Sequence, residues 1–263
     1  MNGILIYTPE DAAKNTWFIQ QMQQEGARRG HIIHLWVTNP GKPLPMDVPI
    51  DFCINRSRNA GFSRALEEMG VPCINPSETI RIANDKWETF LLLRKLSLPC
   101  MDTFLPKNPP SFPFVVKSLA GHGGSQVFLV HNEKEYAAVQ AQLQTLPYLL
   151  QPLCDEPGVD VRAYVMGEKV IAAVKRTSAA DFRSNFSLGG QVALFTPEPC
   201  QLDCIRALQK ALQWDYVGVD FIRHNGQWVV NEIEDAAGAR MLYRLADIPF
   251  IPLFWDQIET RLR

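Results

Sequence analysis

A chain of 263 residues, 46% hydrophobic and 21% charged, has the composition of an ordinary globular protein of one large or two small domains, which excludes a disordered, collagenous or coiled-coil protein. Twenty-six Lys plus Arg against 28 Asp plus Glu leave a net charge of -2, so no global field draws the chain to nucleic acid or anionic lipid, and its longest apolar runs fall far short of the roughly 20 residues of a membrane span. The N-terminus lacks the basic region and apolar length of a signal peptide, and six scattered cysteines without a C-x-x-C are expected to be reduced in a cytoplasmic protein.

In chain order, Gly3-Ile4-Leu5-Ile6-Tyr7 reads as a strand, a helix follows Asn15, Ile32 to Val37 is a strand, and a proline-rich connection runs from Asn39 to Pro49. Phe52 to Ile54 is a strand, after which Phe62, Leu66 and Met69 recur at helical spacing up to Gly70. This alternation argues a small parallel, Rossmann-like sheet, and the lack of G-x-G-x-x-G after the first strand removes the dinucleotide fingerprint. Ser77 is expected to cap one helix running through Asp85 and Lys86 to Leu96. Prolines 99, 106, 109, 110 and 113 mark a linker. Strands at Phe114 to Lys117 and Gln126 to Val130 then flank a glycine-rich turn, with a helix at Asn132 to Gln142 and a strand at Tyr148 to Leu153. A hairpin joins Val161 to Val165 and Lys169 to Arg176, a helix spans Leu202 to Gln213, and a last hairpin runs from Val217 to Ile233.

Four features carry chemistry. Gly121-His122-Gly123-Gly124-Ser125 can present backbone N–H groups to a phosphate, although a glycine-rich hairpin turn explains it equally well. Lys117 closes an apolar strand and must find an anion or reach water, and Lys86 lies in helical context. In the last hairpin, Asp220 and Glu232 interrupt core-like strands, where carboxylates are costly unless paired or bound to a cation. If Asn225-Gly226 is a two-residue turn, Asp220 faces Asn231 and Glu232 points to the other side of the sheet; a three-residue loop puts Asp220, Glu232 and Glu234 on one face. Three acids there ask for a pair of Mg²⁺ ions. The weaker alternative is salt bridging by Arg162, Arg176, Arg183 or Arg240. Asp181-Phe182-Arg183-Ser184-Asn185, in a loop, suits a phosphate or carboxylate, or is a solvated loop.

Taken together and in order, Asn55-Arg56, Asp85-Lys86, Lys117 with Gly121 to Ser125, Gly158-Val159-Asp160-Val161-Arg162, Asp181 to Asn185, Gly218-Val219-Asp220 and Asn231-Glu232 resemble the ATP-grasp superfamily. Within it they are most similar to the branch that holds the ribosomal-protein glutamate ligase RimK and its lysine-biosynthesis relatives. The resemblance implies an α/β ATP-grasp fold: a Rossmann-like pre-ATP-grasp domain over residues 1–83 and an ATP-grasp domain over 84–263, with a small lid subdomain at about 112–152. It implies ATP bound by Lys86, Lys117, Gly121, Gly123, Gly124, Ser125, Gln151, Leu153 and Asp160, and Mg²⁺ (or Mn²⁺), two ions, held by Asp220, Glu232 and Glu234. Arg183 and Asn185 would act on the transferring phosphoryl group or the acceptor. Pro152 has no N–H, so Leu153 must serve the adenine. The branch has Glu-x-Asn followed by Ser-Pro-Gly where this chain has Glu232-Ile233-Glu234-Asp235-Ala236-Ala237-Gly238, so the acceptor side is expected to differ. The implied activity is an ATP-dependent carboxylate–amine ligase acting through an acyl phosphate on an amino acid, peptide or small acid. The alternatives are an ATP-grasp kinase and a nucleotide-binding protein without turnover. Arg58, Arg64, Arg81 and Arg240 are either acceptor residues or surface charges, and the oligomeric state is left open, a homo-oligomer included.

Overall fold

The computed structural model describes residues 1–39, 41, 44, 49–121, 124, 126–179, 181–184, 190–245 and 248–263. Strands β1 (Asn2–Tyr7), β2 (Ile32–Val37), β3 (Phe52–Asn55) and β4 (Cys73–Ile74) pair in parallel in the order β2-β1-β3-β4. The unbroken apolar runs of β1 and β3 suit strands covered on both faces. Helices α1 (Pro9–Lys14), α2 (Thr16–Arg28) and α3 (Ala60–Glu67) connect them. Met69 falls beyond the end of α3 and is exposed, because the chain turns at Gly70, which has φ +82°. Most of the proline-rich connection lies outside the described residues.

The single helix expected from Ser77 to Leu96 is two, α4 (Ser77–Ala83) and α5 (Lys86–Lys95). The cause is Asp85: its carboxylate accepts from the N–H groups of Trp87 at 2.9 Å and Glu88 at 3.1 Å, capping a new helix in the extended conformation that an N-cap needs. Ser77 caps nothing; its hydroxyl hydrogen-bonds Glu67. Lys86 therefore starts a helix instead of riding in the middle of one. Beyond the linker, β5 (Phe114–Ser118), β6 (Val127–Val130) and β7 (Tyr148–Pro152) form a small antiparallel sheet in the order β6-β5-β7, packed on α6 (Glu133–Leu143).

The largest sheet is antiparallel, in the order β10-β9-β8-β11-β12, from β8 (Val159–Met166), β9 (Lys169–Thr177), β10 (Gln191–Leu194), β11 (Tyr216–His224) and β12 (Gln227–Glu234). Helix α7 (Pro199–Leu212) covers one face. The short edge strand β10 and helices α8 (Arg240–Leu245) and α9 (Phe250–Arg261) are additions to the sequence reading. Helix α9 has a structural role: one core runs from Leu5, Met22 and Phe52 through Tyr164 and Tyr216 to Phe250, Trp255 and Ile258. Gly26 permits this closure, since a Cβ there would stand 2.6 Å from the Trp255 ring. The parallel and antiparallel sheets thus share one core across the expected 83/84 boundary. All six cysteines are free thiols.

Asp215, at the entry to β11, is 1% exposed; Oδ1 accepts from Gln257 at 3.1 Å and Oδ2 has no partner among the described residues. Burial, only partly offset by that hydrogen bond, pushes its carboxyl up to about 6. A carboxyl raised in the folded state contributes stability below its unfolded value of 3.8 and loses it as pH rises through about 6. Asp215→Asn is therefore expected to stabilise the protein at pH 8 by about 1–2 kcal/mol and to do nothing at pH 4. Urea midpoints at both pH values check this.

Candidate active site

A cleft of about 840 Å³ lies between the small sheet and the large one, bounded by Lys117 on β5, Gln151 on β7, Asp160 and Arg162 on β8, Asp220 on β11, and Asn231, Glu232 and Glu234 on β12. The last hairpin explains how β12 reaches it. Asn225 and Gly226 have φ of 51° and 75°, the pair of positive values that a two-residue type I′ turn requires, and His224 pairs with Gln227. That turn alone would send Glu232 to the far face. A β-bulge intervenes: Phe221 pairs with Val230 but Asp220 pairs with Glu232, leaving Asn231 as the extra residue. The register slip restores the shared face by a route different from the three-residue loop, and it puts the consecutive Asn231 and Glu232 both on the cleft.

The acids are heavily paired. Asp220, 4% exposed, takes Arg162 in a bidentate bridge at 2.7 and 2.6 Å and Arg176 at 2.8 Å. Arg176 also bridges Asp160 at 2.6 and 2.5 Å, and Arg162 reaches on to Glu234. Gly218 makes room for this: a Cβ there would meet the Arg162 side chain at 3.3 Å. Burial alone would raise Asp220, but the two guanidiniums outweigh it and hold its carboxyl at about 2. At Asp160, which has fewer partners, burial prevails and the carboxyl is raised. The arginine pairing held as the weaker alternative is thus present for Asp220 and Glu234, through Arg162 and Arg176; Arg183 pairs with Asp181, and Arg240 bonds the carbonyl of Lys14.

The cations face these acids. Lys117, 9% exposed, gives its Nζ to Asn231 Oδ1 at 2.8 Å; burial lowers its pKa, with Glu232 opposing and Lys86 adding to the effect. Lys86 Nζ donates to the Gly121 carbonyl at 2.6 Å and lies 3.7 Å from Glu232. Arg183 is held by Asp181 at 2.6 Å and donates to the Gly124 carbonyl at 2.7 Å, linking the loop after β9 to the glycine segment. Gly158, with φ +80°, anchors that loop: its N–H bonds the Phe182 carbonyl at 2.7 Å, and a Cβ would stand 2.8 Å from the Asp181 carbonyl.

Among the expected residues, Lys117, Gly121, Gly124, Gln151, Leu153, Asp160, Arg183, Asp220, Glu232 and Glu234 line this one cleft, and Lys86 lines its neighbour with Gly121 and Glu232. Gly123, Ser125 and Asn185 lie outside the described residues. Gln151 offers a buried Oε1 without a partner among the described residues, an acceptor available to a base amino group. For a divalent ion, no group of three His, Cys, Asp or Glu among the described residues forms a cage. The donors fit Mg²⁺ nonetheless, because that ion takes one or two carboxylates and completes its shell with phosphates and water; Glu232, whose nearest cation is 3.7 Å away, is the acid least committed to arginine. Sequence reasoning gave no role to Asn231, to Asp181 as the holder of Arg183, or to Arg176 as the shared partner of Asp160 and Asp220. The pairing of Asp160 with Arg176 rests on a bulge between Tyr164 and Val165 that shifts the hairpin register by one, so counting from the turn does not give it.

A small sheet over a large one, with Lys117 on the first and Lys86 at a helix start facing acids on the second across one cleft, is the ATP-grasp arrangement. The pattern of the RimK-like ATP-grasp domain matches residues 84–250. An uncharacterised MG011 homologue from Mycoplasma pneumoniae is 31% identical over 248 residues, covering 92% of this chain and 87% of its own. A probable alpha-L-glutamate ligase from Shewanella loihica is 28% identical, covering 95% and 94%. Among solved structures, D-alanine–D-alanine ligase from Bacillus anthracis complexed with ATP superimposes with a TM-score of 0.74 at 18% identity, covering 100% of this chain and 98% of that one. The chain belongs to the RimK-like ATP-grasp family.

Proposed function

We propose that this protein is an ATP-dependent carboxylate–amine ligase, with residues 1–83 and 84–263 as its two domains and the sheet within 112–152 as the lid. The observation that carries the reading is the desolvated ammonium of Lys117 set against Asn231 and Glu232 across one cleft. A buried cation whose hydrogen-bond partner among the described residues is an amide oxygen is poised for a phosphate. The matched family and the probable glutamate ligase relative support the same chemistry.

Lys86 and Lys117 hold the nucleotide phosphates, Gln151 and Leu153 the base, and Glu232 with Glu234 and the remaining lone pairs of Asp220 hold Mg²⁺. Bound there, Mg²⁺ neutralises charge on the phosphoryl oxygens. Asp160 and Asp220 fix Arg176 and Arg162 in place. Arg183 steadies the phosphoryl group while an acceptor carboxylate oxygen bonds to the γ-phosphorus and the bond to the ADP oxygen breaks. An amine nitrogen then bonds to the acyl carbon, the carbon–oxygen bond to phosphate breaks, and the amine proton passes to solvent or phosphate. Arg183, the loop and the glycine segment keep water from the acyl phosphate.

The test is ADP release from ATP and Mg²⁺ across a panel of acids and amines, with mass spectrometry of the products. ADP with a new amide is the expected result. ADP with only a phosphorylated product would favour a kinase, and tight ATP binding without release on any member would oppose turnover. Arg183→Ala is expected to lower kcat about a hundredfold with little change in ATP affinity, since its work falls on the transferring group; steady-state kinetics check it.

A further inference from the structure

A second cleft, of about 800 Å³, begins at Arg162 and Glu234, which it shares with the nucleotide cleft, and runs away from it between the parallel sheet and the segment after β12. Through Asn15, Arg56, Gly238 and Arg240 it continues into a groove of about 820 Å³ walled by Trp17, Phe18 and Tyr243.

Its charges do not balance. Lys14 pairs with Glu10, Arg58 with Asp11, and Arg162 with Asp220 and Glu234. Among the described residues, Arg56 and Arg240 have no carboxylate within 4.0 Å. Arg56 gives Nη2 to the carbonyls of Ala236 at 3.0 Å and Ala237 at 3.2 Å, and Arg240 gives Nη2 to the carbonyl of Lys14 at 2.8 Å. Arg56 is only 8% exposed, its Nε has no partner, and its guanidinium lies 4.8 Å over the Phe18 ring. The Tyr7 hydroxyl, also on this cleft, is buried without a partner. A buried guanidinium with no carboxylate in direct contact, acted on by Tyr7 and by Asp235 only from farther off, is costly, and an anion among Arg56, Tyr7 and Arg240 would offset that cost.

The other end asks for the opposite. Trp17 and Tyr243 are 53% and 41% exposed, and their rings meet edge to face at 5.0 Å. They offer a ring-sized apolar wall, and among the described residues Lys14 beside it is already paired with Glu10. A lone phosphate would leave that wall bare, and a dicarboxylate would press a charge against it.

We propose that this groove seats the acid that the enzyme activates, and that the acid is a monocarboxylate bearing an aromatic group. Its carboxylate lies on Arg56, Tyr7 and Arg240 beside the phosphoryl-transfer centre, and its ring on Trp17 and Tyr243. The catalytic meaning of the site rests on the ligase reading, whereas binding does not.

The experiment titrates the full chain calorimetrically with 3-phenylpropionate, 3-phenylpropionamide, L-glutamate and inorganic phosphate, then repeats it with Trp17→Ala and Arg240→Ala, whose folding is checked by their melting and ATP titrations. The expected order is 3-phenylpropionate tightest, with the amide at least about tenfold weaker. Trp17→Ala should weaken the phenyl acid about tenfold, and Arg240→Ala by a similar factor. Glutamate or phosphate binding as tightly as 3-phenylpropionate, no binding by any probe, or indifference to both substitutions would overturn the proposal. ADP release keeps the two readings apart. A phenyl acid that binds as expected but yields no ADP with any amine leaves the subsite standing against the ligase. ADP release with glutamate, undisturbed by Trp17→Ala, leaves the ligase standing against the subsite.

Discussion

Asp220→Ala is expected to destabilise the protein by roughly 3–5 kcal/mol, because it strips a shared counter-charge from the buried guanidiniums of Arg162 and Arg176. Asp160 and Glu234 remain as partial partners, so the effect should fall within that range and not above it. The same pairing sets an acid limit. A carboxyl held at about 2 against an unfolded value of 3.8 contributes stability above 3.8 and loses it as pH falls towards 2. The wild type should thus lose about 2 kcal/mol over that window, and the variant should not. Urea unfolding at pH 7 and pH 2 measures both, and an unchanged midpoint for the variant at pH 7 would mean that the guanidiniums find other partners. Turnover needs a separate probe, since a destabilised variant says little about chemistry. Glu232→Gln serves: Glu232 is partly exposed and its nearest cation is 3.7 Å away, so the fold should survive while ADP release falls at least about a hundredfold.

The contrast between these acids shows what a sequence discloses. That Asp220 and Glu232 belong to one site was legible, because carboxylates in strands as apolar as Val217 to Ile222 and Trp228 to Val230 need a cation. The means by which they share a face was not. It depends on one extra residue, Asn231, in a strand whose composition does not announce a bulge, and counting from the turn gives the wrong face without it. Which cation answers the acids was hidden for a related reason. Arg162 sits on β8, beside the strand of Asp220, and Arg176 on β9, one strand further, 58 and 44 residues away in sequence, and only the pairing of β8 with β9 and β11 brings them together. Strands β1, β2 and β3 and helix α6 were legible to within a residue or two because local periodicity and caps determine them, whereas the two-residue β4 is too short to show a pattern. The break at Asp85 was not legible because Ser77 reads as the cap of one long helix, whereas Ser77 bonds Glu67 and Asp85 is the residue that caps. Helix α9 pairs its Trp255 with Gly26 across more than two hundred residues, a contact that no local pattern encodes.

Lys117→Met is expected to move two observables in opposite directions. The ammonium is buried, its hydrogen-bonded partner is neutral Asn231, and desolvation lowers its pKa, so in the absence of ligand it weakens the fold. For a lysine lowered in this way the cost is complete below its folded value and vanishes as pH rises towards 10.5. Replacing it with methionine, of similar length, should leave the ligand-free protein equally stable or stabilise it by about 1 kcal/mol at pH 7. ATP binding reverses the balance, because a phosphate supplies the missing counter-charge in a place already emptied of water. The wild type should therefore gain strongly in melting temperature on adding ATP with Mg²⁺, and Lys117→Met should lose most of that gain along with about a hundredfold in ATP affinity. The paired signs make the measurement decisive. A structural lysine would destabilise the ligand-free protein on removal and leave the nucleotide shift intact. A phosphate-binding lysine does the opposite, and thermal melts of the two proteins with and without nucleotide separate the cases.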